Sequence, residues 1–277
     1  MDSLVCVRED FAVRINSRDN EWIKSLVLLR KSAEERKTQK KLLLDGARLC
    51  YDAYRSGRRV EKLLYTRSAA EKYDAYLSPI RAALDENDCV EISEPVSEKL
   101  SETASPQGVF AVCGTQDVVR PVEEITPGQY ICCERLQDPG NLGTVIRTAA
   151  ALGASGVVMT EDCADWSSQK VLRSTMGALF RIPLYSAADA PSAIAALSAQ
   201  GVRSFAAVLA EDAVPLSDWS CTPAAFWVGN EGAGLTGRAV EACAGRVTIP
   251  MAGGVESLNA SVCASILLWV LTRERKK

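Results

Sequence analysis

Phe226-Trp227-Val228-Gly229-Asn230-Glu231-Gly232-Ala233-Gly234-Leu235-Thr236-Gly237 runs an apolar triplet into a glycine-rich turn, and the residues after that turn separate the folds open to this chain. Gly232, Gly234 and Gly237 fit G-x-G-x-x-G between an expected strand and an expected helix, the setting of a dinucleotide-binding fingerprint. The position argues against that reading. About forty residues remain, too few for the remaining strands of a dinucleotide domain, and the next strand, Val247-Thr248-Ile249, runs into Pro250 and Met251 rather than an acid. The glycines still imply that backbone comes close to something, with a nucleoside-bearing cofactor as one reading and a purely structural turn as the other.

The sequence around this stretch alternates. Strands are expected over 130–133, 156–160, 182–185, 204–209, 225–228 and 246–249, and helices over 142–152, 169–176, 190–199, 235–242 and 257–271. Such alternation makes a largely parallel sheet covered on both faces, with ligands bound beyond the carboxyl ends of the strands. The front of the chain reads as shorter mixed elements: helices over 22–29 and 47–55, strands over 42–44, 60–65, 89–92 and 109–113. A Pro/Gly/acid-bearing stretch reads as a linker over 116–129, between a smaller domain over 1–115 and a second domain over 130–277. The fold class is α/β.

The 277 residues, 47% hydrophobic and 24% charged, have ordinary globular composition. Histidine is absent, which removes Ser-His-Asp and Cys-His nucleophiles, HExxH zinc hydrolysis and imidazole acid–base chemistry together. Catalysis must rest on carboxylates, Arg, Lys, hydroxyls, thiols or a cofactor. The ten cysteines form no CxxC pair, so they read as small buried hydrophobes in a reducing cytoplasm and offer no metal cluster. The N-terminus, MDSLVCVREDF, carries acid early and does not read as a signal peptide. The longest apolar run, 260–271, falls short of the roughly 18 residues expected of a membrane span. A soluble, cytoplasmic protein is expected.

Charge is unevenly spread. Arg14 to Lys72 holds 16 Lys+Arg against 8 Asp+Glu, whereas Asp74 to Asp138 holds 4 against 13. Arg30, Lys31, Arg36, Lys37, Lys40 and Lys41 are the densest basic group and could neutralise several phosphates of a nucleic acid, although the interleaved Glu34 and Glu35 also suit a solvated helix face. Five of the seven tyrosines, at 51, 54, 65, 73 and 76, share this region with spacing that suits core packing as well as base stacking.

Three segments carry the functional reading. The first is Glu134-Arg135-Leu136-Gln137-Asp138-Pro139-Gly140-Asn141-Leu142-Gly143-Thr144-Val145-Ile146-Arg147, a strand end, a Pro-Gly turn and a helix start with Asn141 near the cap and Arg147 close to two turns on. The second is Arg173-Ser174-Thr175-Met176-Gly177-Ala178 with Phe180-Arg181-Ile182-Pro183 after it. The third runs from Val228-Gly229-Asn230-Glu231-Gly232 through Ile249-Pro250-Met251 to Glu256-Ser257-Leu258-Asn259-Ala260-Ser261. In this order and spacing they resemble the three signature motifs of the SpoU-type RNA ribose 2'-O-methyltransferases of the SPOUT superfamily. The front half is similar, more loosely, to the ribosomal-protein-like substrate-binding domain of many such enzymes, at Ile15 to Asn20, Leu42 to Arg48 and Ser105 to Val109.

The resemblance implies a C-terminal parallel-sheet domain tied into a deep trefoil knot and preceded by a smaller α/β RNA-binding domain. It implies S-adenosylmethionine bound by backbone at Gly229, Ile249 and Leu258, with Gly232 and Asn259 beside them, and a homodimer with its site at the subunit junction. The apolar last helix over 262–271 then suits knot or dimer core, with Arg273, Arg275, Lys276 and Lys277 at its negative end. RNA is the partner, contacted by Arg18, Arg36, Lys37, Lys40 and Lys41, and no metal or membrane is called for.

Methyl transfer to a ribose hydroxyl needs in-line placement, a route for the proton and stabilisation of the developing alkoxide. The family's motif arginine maps to Arg147. Deprotonating an arginine at pH 7 costs about 7 to 9 kcal/mol, so Arg147 is better read as a cation that clamps the target phosphate or hydroxyl. The proton then goes to Glu231, an RNA phosphate or the cofactor carboxylate, while Asn141, Ser257 and Asn259 orient loops and substrate. Large-subunit 23S ribosomal RNA is the expected substrate. Transfer RNA is the alternative, and a non-catalytic RNA-binding or ribosome assembly factor retaining the fold is the competing class.

Overall fold

A computed structural model of the chain describes residues 13–252 and 257–273. Glu256, Arg275, Lys276 and Lys277 therefore lie outside the described residues. Two compact units are present, Met1–Gly114 and Thr115–Lys277.

The first unit contains β1 (Val13–Ile15), α1 (Glu21–Lys31), α2 (Ala33–Gln39), β2 (Lys41–Asp45), α3 (Ala47–Arg55), β3 (Val60–Tyr65), α4 (Arg67–Lys72), α5 (Asp74–Arg81), β4 (Cys89–Ile92), α6 (Glu94–Leu100) and β5 (Val109–Gly114). Its sheet has the order β1-β4-β3-β5-β2, parallel at β1/β4 and β3/β4 and antiparallel where β5 meets β2 and β3. Asn20 starts α1 by accepting from the Trp22 and Ile23 amides at 3.0 and 3.3 Å, a side-chain cap that satisfies two otherwise orphaned donors. The helix then buries Ile23, Leu26 and Leu29, three residues apart on one face, against Leu43, Leu64, Phe110 and Val112 of the sheet.

The second unit contains β6 (Val119–Pro121), β7 (Tyr130–Cys133), α7 (Pro139–Leu152), β8 (Gly156–Thr160), α8 (Gln169–Ser174), β9 (Leu184–Ala187), α9 (Ala190–Ala199), β10 (Arg203–Ala207), β11 (Val214–Pro215), β12 (Ala224–Val228), α10 (Gly237–Ala242), β13 (Gly245–Thr248) and α11 (Ala260–Thr272). Every pairing in its eight-stranded sheet, order β11-β13-β10-β12-β7-β8-β9-β6, is parallel. β7, β8, β12 and the start of β9 are buried on both faces, which is why Tyr-Ile-Cys-Cys and Ala-Ala-Phe-Trp-Val read as unbroken apolar runs. Cys132 and Cys133 belong to this core, and burial pushes both thiols well above their ordinary range, as expected of cysteines used as small hydrophobes.

Several expectations are corrected here. The stretch 116–129 is not a linker: Val119, Arg120 and Pro121 pair in register with Leu184, Tyr185 and Ser186, and Val122 and Ile125 are buried in the second unit's core. An edge strand of three residues ending in proline carries almost no periodic signal, and its partner lies more than sixty residues on. Helix α7 is capped by Asp138, whose Oδ1 accepts from the Asn141 amide at 2.9 Å, with Pro139 inside the first turn. Helix α8 ends at Ser174 because Met176 and Gly177 take left-handed backbone, with φ of 48° and 80°. No helix among the described residues is long and apolar enough to cross a membrane.

Candidate active site

The chain runs outward through β7, β8 and β9, then returns to build β10, β12 and β13 on the other side of β7. The strand order therefore reverses between β7 and β12. Their carboxyl ends, Cys133 and Val228, stand side by side in register, and the loops leaving them are joined by side-chain hydrogen bonds. Glu134, buried at that edge, accepts from the Thr236 amide at 2.8 Å and from the Thr236 hydroxyl at 2.7 Å, fixing the start of α10 to the end of β7.

The glycine-rich turn folds on itself and does not open a helix. Asn230 and Gly234 exchange backbone hydrogen bonds at 3.1 and 2.9 Å, Gly234 has φ of 67°, and α10 begins only at Gly237. A Cβ on Gly229 would stand 2.1 Å from the Gly234 carbonyl carbon, so no larger residue fits there. Asn230 builds the rest: its Oδ1 accepts from the Gly232 and Ala233 amides at 3.0 Å each, and its Nδ2 donates to the Arg135 carbonyl at 2.9 Å. The fingerprint-like glycines thus serve close backbone approach within a turn.

Glu231 reaches from this turn to the loop after β7. Its carboxylate accepts from the Gln137 amide at 3.1 Å, the Asp138 amide at 2.9 Å and Asn141 Nδ2 at 3.1 Å. Partial burial alone would raise its pKa. The hydrogen bonds from Asn141 and from the Asp138 and Gln137 amides outweigh that and hold the carboxyl below its usual range, so it stays ionised near neutrality. Asn141 Oδ1 in turn accepts from Asn259 Nδ2 at 3.1 Å, while Asn259 Oδ1 caps α11 through the Ser261 and Val262 amides at 2.9 and 3.3 Å. One side-chain chain, Glu231–Asn141–Asn259, joins three loops.

Below it lies a cavity of about 510 Å³. Leu209, Val228, Leu235, Val247, Ile249 and Leu258 supply apolar wall, and Asn230, Glu231 and Ser257 supply polar edge, around the exposed backbone of Gly229 and Gly232. Cofactor sites fall at roughly 300 to 1,000 Å³ with this mixture of apolar wall and few polar groups, so an adenosine-bearing cofactor fits.

The structure brings Gly229, Glu231, Gly232, Ile249, Ser257 and Leu258 to the cavity wall, and ties Asn141 and Asn259 to its rim through Glu231. Asn259, expected at the cofactor, does not line the cavity. Arg147 is exposed on α7 with no hydrogen bond or ion pair to another described residue. Six residues at 3.6 per turn put it about 120° round the helix from Asn141, so the two do not share a flank. Sequence reasoning missed Glu134, Gln137 and Asp138 as loop anchors, and Leu209, 61% exposed at the carboxyl edge of β10, as cavity wall. Gly143 in the first motif also has a packing reason: a Cβ there would stand 2.4 Å from Ser174 Cβ.

In the first unit the basic group divides. Arg36, expected on phosphate, is only 4% exposed, and its guanidinium donates to the Leu29 and Arg30 carbonyls at 2.9 and 2.7 Å, closing the C-terminal end of α1. Arg30 is likewise buried and donates to the Ser101 carbonyl at 2.5 Å. Lys41 pairs with Glu61 at 2.6 Å, whereas Lys37, Lys40 and Arg18 point their charge to solvent. Of the tyrosines, Tyr51 stacks edge-on against Tyr76 at 5.5 Å and lies 6.5 Å from Tyr54, which ties α3 to α5.

Comparison with known proteins agrees with this architecture. Residues 128–269 match the SpoU rRNA Methylase family and residues 20–111 the MRM3-like substrate binding domain. The chain belongs to the SpoU rRNA methylase family. It is 33% identical to an uncharacterized tRNA/rRNA methyltransferase of Synechocystis, over 94% of each chain. It is 32% identical to the 23S rRNA (guanosine(2553)-2'-O)-methyltransferase RlmP of Bacillus subtilis, over 93% of this chain and 98% of that one. The AdoMet-bound rRNA methyltransferase from Sinorhizobium meliloti superposes with a TM-score of 0.83 at 28% identity, covering 96% of this chain and 99% of the other.

Proposed function

We propose that this protein transfers a methyl group from S-adenosylmethionine to a ribose 2'-hydroxyl of RNA, with 23S ribosomal RNA as its substrate. The observation that carries the reading is the Glu231–Asn141–Asn259 network on the rim of a cavity at the carboxyl ends of β10, β12 and β13, one strand from where the strand order reverses. When bound, S-adenosylmethionine supplies a sulfonium methyl electrophile. The backbone of Gly229, Ile249 and Leu258 holds it, and the apolar wall keeps water from the reacting centre. Arg147, free of internal partners among the described residues, offers its forked donors to the target phosphate or hydroxyl and lowers the energy of the developing alkoxide. Glu231 positions the loops. It is not the proton acceptor, because its carboxylate is already engaged by three donors and its pKa is lowered, so the 2'-hydroxyl proton passes to a phosphate oxygen of the RNA.

The first unit binds RNA through Lys37, Lys40 and Arg18, with a cytoplasmic location following from a ribosomal substrate. The trefoil knot belongs to this proposal through the family resemblance. So does a homodimer, which is supported by α11: Val262 and Trp269, seven positions apart on one face, are 47% and 58% exposed, an apolar surface that an isologous contact would cover. Incubation of the protein with labelled methyl donor and either 23S ribosomal RNA or transfer RNA, followed by mapping of ribose methylation, tests the reading. Label on a single 23S ribose supports it. Label on transfer RNA overturns the substrate, and RNA binding without transfer favours an assembly factor.

A further inference from the structure

Arg135, in the turn between β7 and α7, has φ of 56°, a left-handed conformation that glycine adopts freely and a side-chain-bearing residue rarely. Two backbone hydrogen bonds account for that conformation. The Arg135 amide donates to Thr160 Oγ1 at 3.0 Å, and its carbonyl accepts from Asn230 Nδ2 at 2.9 Å. Neither bond uses the side chain, and glycine would make both with less strain. An arginine in such a place points to work done by its guanidinium.

The fold draws little from that group. Its ion pair among the described residues sets Nε 3.9 Å from Asp162 Oδ2, with the two side chains 42% and 56% exposed, and Asp162 already accepts from the Thr160 hydroxyl. A long, exposed pair of this kind contributes close to nothing. Position is more informative. Arg135 is bonded directly to Asn230 of the cavity wall, and it lies two and three residues before the amides of Gln137 and Asp138 that hold Glu231. The Arg135 backbone therefore adjoins the cavity wall, while its guanidinium stands half-exposed at the carboxyl edge of the sheet, on the β8 side of the turn beside Asp162.

We infer that Arg135 is a substrate-binding residue that holds an RNA phosphate beside the nucleotide entering the site. The inference rests on the proposed function above. A guanidinium matches a phosphate with two parallel donors, which its single long contact to Asp162 does not use, so the approaching RNA displaces that contact at little cost.

Arg135→Gly and Asp162→Asn in the full-length protein separate this role from a structural one, with an in vitro transcript of 23S ribosomal RNA as the probe. Arg135→Gly is expected to keep its Tm within about 2 °C of the wild type or above it, because glycine relieves the left-handed backbone. It should retain calorimetric affinity for S-adenosylmethionine, bind the transcript about tenfold more weakly and flatten the log–log salt dependence by about 0.7. Arg135→Asn, also tolerant of left-handed backbone, provides the same comparison if the glycine variant loses stability. Asp162→Asn should bind the transcript as tightly as the wild type or more so. Wild-type RNA affinity and slope in both Arg135 variants would overturn the inference, as would an equal loss in Asp162→Asn, which would assign the effect to the ion pair. If the wild type binds the transcript but methylates no ribose, the proposed reaction fails, while the affinity comparison still decides the role of Arg135.

Discussion

Asn259 Nδ2 donates to Asn141 Oδ1 at 3.1 Å, joining side chains 118 positions apart while Asn259 Oδ1 caps α11. The two ends of one amide do separate jobs. Asn259→Asp keeps the capping oxygen and replaces the donor by a second acceptor that faces Asn141. The expected outcome is a Tm within a few degrees of the wild type and a kcat/KM at least tenfold lower. Loss of stability with normal turnover of the folded fraction would show that only the cap matters.

The lowered pKa of Glu231 has a definite sign. A carboxyl held below its ordinary value stabilises the folded loops above the unfolded value, and that contribution is lost as pH falls through the lower folded value. Between pH 5 and 8 Glu231 stays ionised, so it contributes no limb to the kcat profile there. Glu231→Gln should lower activity by a constant factor across that range. A wild-type limb that disappears in the variant would make Glu231 a base after all.

Arg147→Ala should abolish methyl transfer while leaving the affinity for S-adenosylmethionine within about tenfold, because Arg147 does not line the cavity. Stability should be unaffected, since Arg147 is exposed and unpaired among the described residues. Near-normal single-turnover rates would refute its place beside the substrate.

Arg36 and its neighbours should behave in opposite ways. Arg36→Ala removes a buried guanidinium from the Leu29 and Arg30 carbonyls and should destabilise the first unit by about 2 to 3 kcal/mol in denaturant unfolding. Lys37→Gln with Lys40→Gln should leave stability unchanged, weaken RNA binding and flatten its salt slope by roughly 0.7 per lost contact. An unchanged slope would return these lysines to a solvated face.

Trp269→Glu places a charge on the exposed apolar face of α11 and should convert a dimer to a 30-kDa-class monomer in light scattering, with loss of activity. A wild type that is already monomeric and fully active would mean that Trp269 meets no second copy.

Much of the second unit was legible in sequence because the signals are local. Unbroken apolar runs at 130–133 and 224–228 mark strands buried on both faces, and the Asp-Pro-Gly and Ser-Leu-Asn segments mark helix starts through the chemistry of the residues next to them. The alternation of strands and helices gave the expectation of a site at the carboxyl edge of a parallel sheet, where the structure has a cavity lined by Gly229, Ile249 and Leu258. Tertiary structure decided what each residue does there. Arg36 carries the same charge as Lys37, yet one is buried on the end of α1 and the other faces water, a difference set by which side of α2 meets the neighbouring helix. Glu231 reads in sequence as a possible base and becomes a tether only because strand order sets the β7 and β12 loops side by side, giving it partners 90 to 94 positions away. Residue type and local period determine which elements form. Hydrogen-bond saturation, and with it the difference between a free carboxylate and an engaged one, depends on groups that only the folded sheet brings within 3.1 Å.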